Sequence, residues 1–395
     1  MEKIYPRKLK KFLIDEIKKP QITLITGMRQ VGKTTLLKDI YNHIEAENKI
    51  FIDLENPLNR KIFEEKNYDN VIGNLKVAGL KSEKNAYVFI DEIQLMPEIS
   101  KVIKYLYDHY KIKFFLTGSS SFYLKNLFPE SLAGRKLIYE LYPLDFEEFL
   151  IFKNKKKKFF ESFDEKSKNK NNIEFEILKN LYEEYLNFGG FPAVVLEENV
   201  DRKKLILSDI FKSYFEKDVK TLADFKEISN LRDTILLLAG RTGSKIEISK
   251  ISIEIGISRQ TVYSYLNFLE KTYFISLVLP YSKGINGEVR GARKVYLCDT
   301  GILNYLIKVD EGKIFETSVY NFLKKLGKVN YYEKYRGPEI DFILNGEIAF
   351  EVKLFPTLSD LKRLKRICEN LKIKKYYLIS KNFVDLENTI IGVDL

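Results

Sequence analysis

Two cysteines, Cys298 and Cys368, and two histidines, His43 and His109, are the whole supply of thiol and imidazole groups in 395 residues. That is too few for a disulfide framework or a cysteine-based zinc site, and neither histidine lies near a cysteine in the sequence. A Ser-His-Asp or Cys-His nucleophilic apparatus is equally poorly provided for. No run reaches the ~18 uninterrupted apolar residues of a membrane-crossing helix. Met1-Glu2-Lys3-Ile4-Tyr5-Pro6-Arg7 has no apolar stretch behind it, so no secretory signal is expected and a cytoplasmic location is.

What is present is ordinary globular composition, 45% hydrophobic and 31% charged, which excludes wholesale disorder. At ~150 residues per domain the length suggests two or three domains. Lys and Arg number 66 against 55 Asp and Glu, a formal charge of +11. Such a surplus favours polyanions such as DNA or RNA, or reflects a lysine-rich background alone.

Residues 21–26, Gln-Ile-Thr-Leu-Ile-Thr, form a β-rich run that ends on Gly27. Residues 33–44 then place Leu36, Leu37, Ile40 and Ile44 at helical spacing. Strand candidates follow at 49–54, 86–90 and 113–117, with a helical stretch at 99–110. Strands apolar on both sides, alternating with helices, predict an α/β domain over 1–140, its parallel sheet flanked by helices. Residues 141–240 predict a helical linker or lid, broken at Gly189-Gly190-Phe191-Pro192. Its lysine-rich stretch at 153–172 is expected to be a solvated, mobile insertion, or else an arm tracking a polyphosphate. Residues 241–295 outline a winged-helix-like module. It has helix 248–255, the turn Gly256-Ile257-Ser258, helix 259–270 with Val262, Leu266 and Leu269 inward, and a β-rich 273–279. A small α/β domain over 296–395 has a helix at 312–326 and strands at 341–344, 347–354 and 376–379. No internal repeat is found.

Gly27-Met28-Arg29-Gln30-Val31-Gly32-Lys33-Thr34, followed by Thr35, fulfils G-x-x-x-x-G-K-[ST] between a strand and a helix. The glycines let the backbone curl so that its N–H groups face phosphate oxygens, and the helix adds its positive end. Lys33 can reach the β- and γ-phosphates, and the Thr34 hydroxyl can hold Mg²⁺. The next buried strand runs into Asp91-Glu92, two carboxylates at a strand's carboxyl end, where ligands of parallel sheets bind. Asp91 is expected to take the Mg²⁺, and Glu92 to polarise the attacking water. Thr117-Gly118-Ser119-Ser120 ends the following strand, so that Ser119 or Thr117 could sense the γ-phosphate or simply cap a turn. Arg135 is a candidate transition-state arginine, supplied in cis or to a neighbouring subunit of a homo-oligomer, or a surface salt-bridge partner.

These segments resemble a prokaryotic group of AAA-type P-loop ATPases, on residues 27–35, Phe89-Ile90-Asp91-Glu92-Ile93-Gln94, Leu116-Thr117-Gly118-Ser119-Ser120 and Leu132-Ala133-Gly134-Arg135. In that group a carboxy-terminal domain of unknown function follows the ATPase. Phe188-Gly189-Gly190-Phe191-Pro192, residues 214–218 and Val295-Tyr296-Leu297-Cys298-Asp299-Thr300-Gly301 resemble that second domain. The resemblance spans nearly the whole chain and implies ATP binding and hydrolysis with Mg²⁺, with no established substrate.

Near the carboxyl end, Pro338-Glu339-Ile340-Asp341 and Glu351-Val352-Lys353 resemble the P-D…(D/E)-x-K core of restriction-endonuclease-like nucleases, with Glu316 a possible fourth member. The proline stands three positions before Asp341 rather than adjacent to it. In such a site carboxylates hold Mg²⁺ and a lysine orients water beside a scissile phosphate. Glu351 and Lys353 share one sheet face. A two-residue Asn345-Gly346 turn would put Asp341 on the other face, whereas a three-residue turn through Glu347 puts it opposite Glu351. An ordinary hairpin with one wet face is the competing expectation. On helix 259–270, Arg259 and Gln260 suit contact with phosphate or a base edge, though Tyr263, Ser264 and Asn267 are not basic. Two readings follow. One is an Mg²⁺-dependent ATPase coupled to nucleic-acid binding or processing. The other is an ATP-switched module that binds a protein partner without nuclease activity.

Overall fold

Five short apolar runs, β1 (Ile22–Thr26), β2 (Lys49–Asp53), β3 (Ala86–Asp91), β4 (Ile112–Gly118) and β5 (Lys136–Glu140), make one parallel sheet in the order β2-β3-β4-β1-β5. Every residue of β1 and β4 is buried, as central strands covered on both faces require. Helices Lys33–His43 and Ile99–His109 connect the strands, and Ile103, Leu106, Val88, Ile90 and Leu116 lie in the core beside the sheet. The computed structural model describes residues 4–118, 134–219, 228–282, 291–334 and 337–395. The first of its two units consists of the described residues of Met1–Tyr142, Ser213–Asp224 and Lys271–Tyr273.

The second unit takes the described residues of Pro143–Lys212, Phe225–Glu270 and Phe274–Leu395. The three parts expected from 141 onward therefore fall mostly into one body. Strands β6 (Ile275–Val278) and β7 (Lys294–Leu297) pair antiparallel. Strands β8 (Val329–Glu333), β9 (Glu339–Leu344), β10 (Ile348–Lys353), β11 (Lys375–Ser380) and β12 (Thr389–Ile391) form a mixed sheet in the order β12-β11-β10-β9-β8. The parallel step from β10 to β11 needs a crossover. Helix Leu358–Leu371 supplies it, closed at its start by a Thr357–Asp360 capping box and burying Leu361, Leu364, Ile367 and Cys368. Helices Ile248–Ile255 and Arg259–Lys271 are joined through Gly256 in the left-handed region (φ 76°). Ser258 Oγ accepts the Thr261 N–H at 3.1 Å, and Val262, Leu266 and Leu269 are buried.

Two of the segments that resemble the domain of unknown function, residues 188–192 and 295–301, form a packing clasp. Asp299 Oδ1 accepts the N–H groups of Gly301 and Ile302 (2.9 and 3.1 Å), and Oδ2 accepts that of Gly190 (2.7 Å). A Cβ on Gly190 would stand 2.2 Å from the Leu144 carbonyl oxygen, and one on Gly301 2.1 Å from that of Phe188.

The lysine-rich stretch corrects the expectation of a solvated, mobile insertion. It contains helix Phe163–Lys168, capped by Ser162. Lys157, its side chain 3% exposed, pairs with Glu174 (2.6 Å) and Asp394 (2.7 Å). Lys166 and Lys170 donate to the carbonyls of Asp394 and Leu386. The partners lie far along the chain, so the local charge pattern gave no sign of them. No helix among the described residues is long and apolar enough to cross a membrane.

Candidate functional site

The loop after β1 is braced before any ligand is considered. Gly27 (φ 151°) passes so close to the strand-end backbone that a Cβ would meet the Leu141 carbonyl oxygen at 2.1 Å. Gly32 (φ 96°) turns the chain into helix Lys33–His43. Arg7 holds the far side: its guanidinium donates to the carbonyls of Val31 and Tyr142, both at 2.7 Å. Met28 and Val31 are buried as anchors, while Gln30 and Thr35 are exposed. Lys33 is buried, and its Nζ donates to the carbonyls of Gly27 (3.0 Å) and Met28 (2.9 Å). Burial pushes the ammonium's pKa down, against the attraction of Glu92, Asp218 and Asp91.

Asp91 ends β3 and is buried. Its carboxylate accepts hydrogen bonds from the hydroxyls of Thr117 and Thr34. Burial holds its pKa above the ordinary value, and repulsion from Glu92 and Asp53 adds to this. The next residue, Glu92, takes a left-handed conformation (φ 57°, ψ 46°), a strain of roughly 1–2 kcal/mol for a non-glycine residue. Its N–H donates to Thr117 Oγ1 at 3.1 Å, and its carboxylate accepts from Gln94. Lys33, Thr34, Asp91, Glu92 and Thr117 thus gather at the carboxyl ends of β1, β3 and β4. Ser119, the other candidate sensor, lies outside the described residues.

The donor set fits Mg²⁺. A hydroxyl and a buried carboxylate already touch, and two further acids leave negative charge that a divalent cation would offset. Among the described residues no three His, Cys, Asp or Glu side chains are grouped to hold a metal. A magnesium ion bound chiefly by phosphate oxygens and water needs no such group.

Sequence reasoning missed two residues at this site. One is Arg7. The other is Asp218, on a π-helical turn, Tyr214–Val219, whose carboxylate oxygen lies 3.1 Å from Arg29 Nε. Residues 214–218 stand out in the sequence only through the resemblance to the domain of unknown function, and nothing in it ties Asp218 to the loop, because its distance along the chain from the loop is large.

Arg135 is placed at the opposite end of the sheet. Its carbonyl accepts the Ile22 N–H at 2.8 Å, at the amino end of β1, and its Nε pairs with Asp108 at 2.8 Å. The loop leaves the carboxyl end of that strand, a strand length of about 16 Å away at ~3.3 Å per residue. The expectation that Arg135 acts in cis is therefore corrected: in its own chain it is a salt-bridge partner.

In the second unit, β9 and β10 pair Leu344 with Ile348 and Phe342 with Phe350. This is the register of the three-residue turn, and continued by one residue it sets Asp341 opposite Glu351. Asp341 Oδ2 accepts the Val352 N–H at 2.7 Å. Glu351 pairs with Lys353 (3.0 Å) and with Arg363. Glu316 accepts from Tyr296 Oη at 2.6 Å, and Lys294 pairs with Glu339. Burial, followed by repulsion from Asp341, pushes Glu316 and Glu351 each up to about 7. Asp341 is pushed upward by burial too. Lys294 and Arg363 were not singled out from the sequence, and Tyr296 and Glu339 were quoted there without a role at this cluster; Lys294 and Tyr296 come from β7 and Arg363 from helix Leu358–Leu371, which only the fold brings here. Separately, Gln260, Tyr263, Ser264 and Asn267 line a cavity of about 560 Å³ with Arg293.

Comparison with known proteins follows the division of the chain. Residues 19–150 match the model of a family described as an AAA domain. Residues 179–313 and 311–391 match two domains of unknown function, DUF8612 and DUF4143. The uncharacterized protein MJ1544 of Methanocaldococcus jannaschii is 30% identical over 371 residues, which cover 89% of this chain and 80% of that protein. An uncharacterized protein of Haemophilus influenzae is 27% identical over 351 residues, 84% of this chain and 83% of its own. Among solved structures, the Walker-type ATPase Paby2304 of Pyrococcus abyssi is 17% identical with a TM-score of 0.48, over 77% of this chain and 96% of that one.

Proposed function

The chain belongs to the family, shared with MJ1544, that joins an AAA-type P-loop ATPase domain to two carboxy-terminal domains of unknown function, and from that premise we propose an Mg²⁺-dependent ATPase whose turnover is coupled to nucleic-acid binding or processing by the carboxy-terminal half. The observation that carries the first part is the gathering of Lys33, Thr34, Asp91, Glu92 and Thr117 at one edge of the sheet. Backbone amides of residues 27–35 and the ammonium of Lys33 bind the phosphates. Thr34 and Asp91 hold the magnesium, which offsets charge on the phosphoryl oxygens. Glu92 orients the attacking water, held in place by Gln94 and Thr117. Any transition-state role of Arg135 is played toward a neighbouring copy. The test is ATP turnover with and without Mg²⁺: Lys33→Ala is expected to abolish it, and undiminished hydrolysis refutes the site.

The nucleic-acid part is supported by the hairpin register, which aligns Asp341 with Glu351 on the face that carries Lys353. A phosphodiester is the substrate such a set suits. Stimulation of ATP turnover by DNA or RNA, and loss of any Mg²⁺-dependent cleavage in Asp341→Ala, test it. A second reading, an ATP-switched module for a protein partner, is favoured by a different observation. Glu351 is already engaged by Lys353 and Arg363, and no three ligands are grouped for a metal among the described residues. Absence of nucleic-acid binding at low salt, where phosphate contacts are strongest, decides for it.

A further inference from the structure

Asp218 is a carboxylate buried beside the phosphate loop. It is 2% exposed, and the π-helical turn that carries it belongs to the same unit as the phosphate loop. The turn is fixed by Tyr214, fully buried, whose Oη shares a hydrogen bond of 2.7 Å with Thr272 Oγ1, and by the buried Val219. Turns closed by i→i+5 bonds are rare and concentrate at functional positions. The Asp218 carboxylate faces three charged residues of the nucleotide site. It pairs with Arg29 at 3.1 Å, attracts Lys33 and is repelled by Glu92. Arg29 stands inside the phosphate loop, two residues after Gly27.

A polyphosphate entering that loop brings several negative charges to the same guanidinium and ammonium. A single carboxylate cannot match them, and next to Glu92 it meets added repulsion once they arrive. Burial already holds Asp218 at a pKa of about 6, so its ionised form is weakly supported despite the two cations.

Resting on the reading of residues 27–35 as a nucleotide site, we infer that Asp218 is an internal competitor of the nucleotide's phosphates for Arg29 and Lys33, and that nucleotide binding loosens the 214–219 turn by breaking this contact. Asp218 touches no reacting atom in this scheme; it is a coupling residue.

The experiment uses the full chain, with MgATPγS and MgADP as probes. Affinities are measured by calorimetry, and exchange of the 214–219 amides is followed by mass spectrometry. Asp218→Asn, which removes the competing charge, is expected to bind MgATPγS about tenfold more tightly, or 1.4 kcal/mol. In the wild-type chain MgATPγS is expected to speed exchange across 214–219; in Asp218→Asn exchange is fast from the start and nucleotide changes it little. Equal or weaker binding by Asp218→Asn, with wild-type exchange unchanged by nucleotide, overturns the inference alone. Binding by neither protein overturns the nucleotide reading and the inference with it. The wild-type exchange measurement needs no variant, so the inference can fail even if Asp218→Asn does not fold.

Discussion

Replacing Asp299 by asparagine tests whether the clasp that resembles the domain of unknown function is structural, and the sign of the effect depends on pH. Asp299 is buried and accepts three backbone N–H groups, yet burial outweighs them and pushes its pKa up to about 6. An aspartate in the unfolded chain titrates near 3.9. Between those values the folded chain keeps a proton that the unfolded chain releases. The stability this group contributes is therefore full below about pH 4 and is lost as the pH rises through about 6. The displacement corresponds to roughly 2–3 kcal/mol between pH 4 and pH 8. The side chain of the Asp299→Asn variant does not titrate, but it turns an NH₂ toward the Gly190 N–H that Oδ2 now accepts, at a cost of about 1–3 kcal/mol. The variant is thus expected to be clearly less stable than the wild type at pH 4 and close to it at pH 8. With Glu316 and Glu351 present in both chains, their own titration cancels in the difference. Thermal unfolding by circular dichroism reads the change as a difference in Tm that shrinks by about 4–12 °C across that range. A difference that stays constant from pH 4 to pH 8 would show that Asp299 is not buried in this way.

Three more outcomes are expected. Glu92→Gln should bind MgATP with unchanged affinity and lose at least ~100-fold in turnover, measured by single-turnover phosphate release; retained turnover removes Glu92 from the role given to it. Arg7→Ala unties the phosphate loop from Val31 and Tyr142, and should lower Tm and raise the Kd for MgADP together, whereas a change in Tm alone would mean the loop holds its shape without that brace. Asp341→Asn removes the repulsion that, after burial, raises Glu351, so Glu351 should titrate below about 7 in a carboxylate-labelled NMR experiment; an unmoved titration would mean the two side chains do not share a field.

The candidate nucleotide site was legible because each part is local. The glycines of the loop, the two apolar strands and the carboxylates behind β3 announce themselves in windows of ten residues, and the elements found at Lys33–His43, Ile99–His109 and Ile112–Gly118 lie within a residue or so of the expected ranges. β5 was not marked, since Leu137 and Ile138 point to solvent on an edge strand and break the buried pattern. The β9–β10 register could not be read either. Asn345 and Gly346 suit a two-residue turn, and both do adopt positive φ (53° and 74°), but Glu347 joins the turn and donates to Leu344. One residue in the turn decides the face of Asp341. Nothing in the sequence tied Asp218 or Arg7 to the loop; their contacts with it exist only after the chain has folded.

The charge of +11 is a total and does not say where a nucleic acid would bind, and some of the lysines are not at the surface at all. Lys157, Lys203, Lys294 and Lys381 have side chains no more than 6% exposed, each paired with carboxylates of the second unit. Each pair cancels itself, so the surplus resides on exposed cations, and binding must be located on a surface rather than inferred from a total. Arg293 lines the groove beside helix Arg259–Lys271 with Gln260 and Asn267, and Arg259 is exposed at the start of that helix, next to Gln260. If a nucleic-acid backbone lies there, each arginine neutralises one phosphate and adds about 0.9 to the slope of log K against log salt for a duplex. Arg259→Ala and Arg293→Ala should each flatten that slope by about that amount, and by nearly the same amount for unrelated sequences, since phosphate contacts carry no base information. A wild-type slope that neither substitution changes would place the nucleic acid on another face, and no slope to measure would leave the carboxy-terminal half to a protein partner.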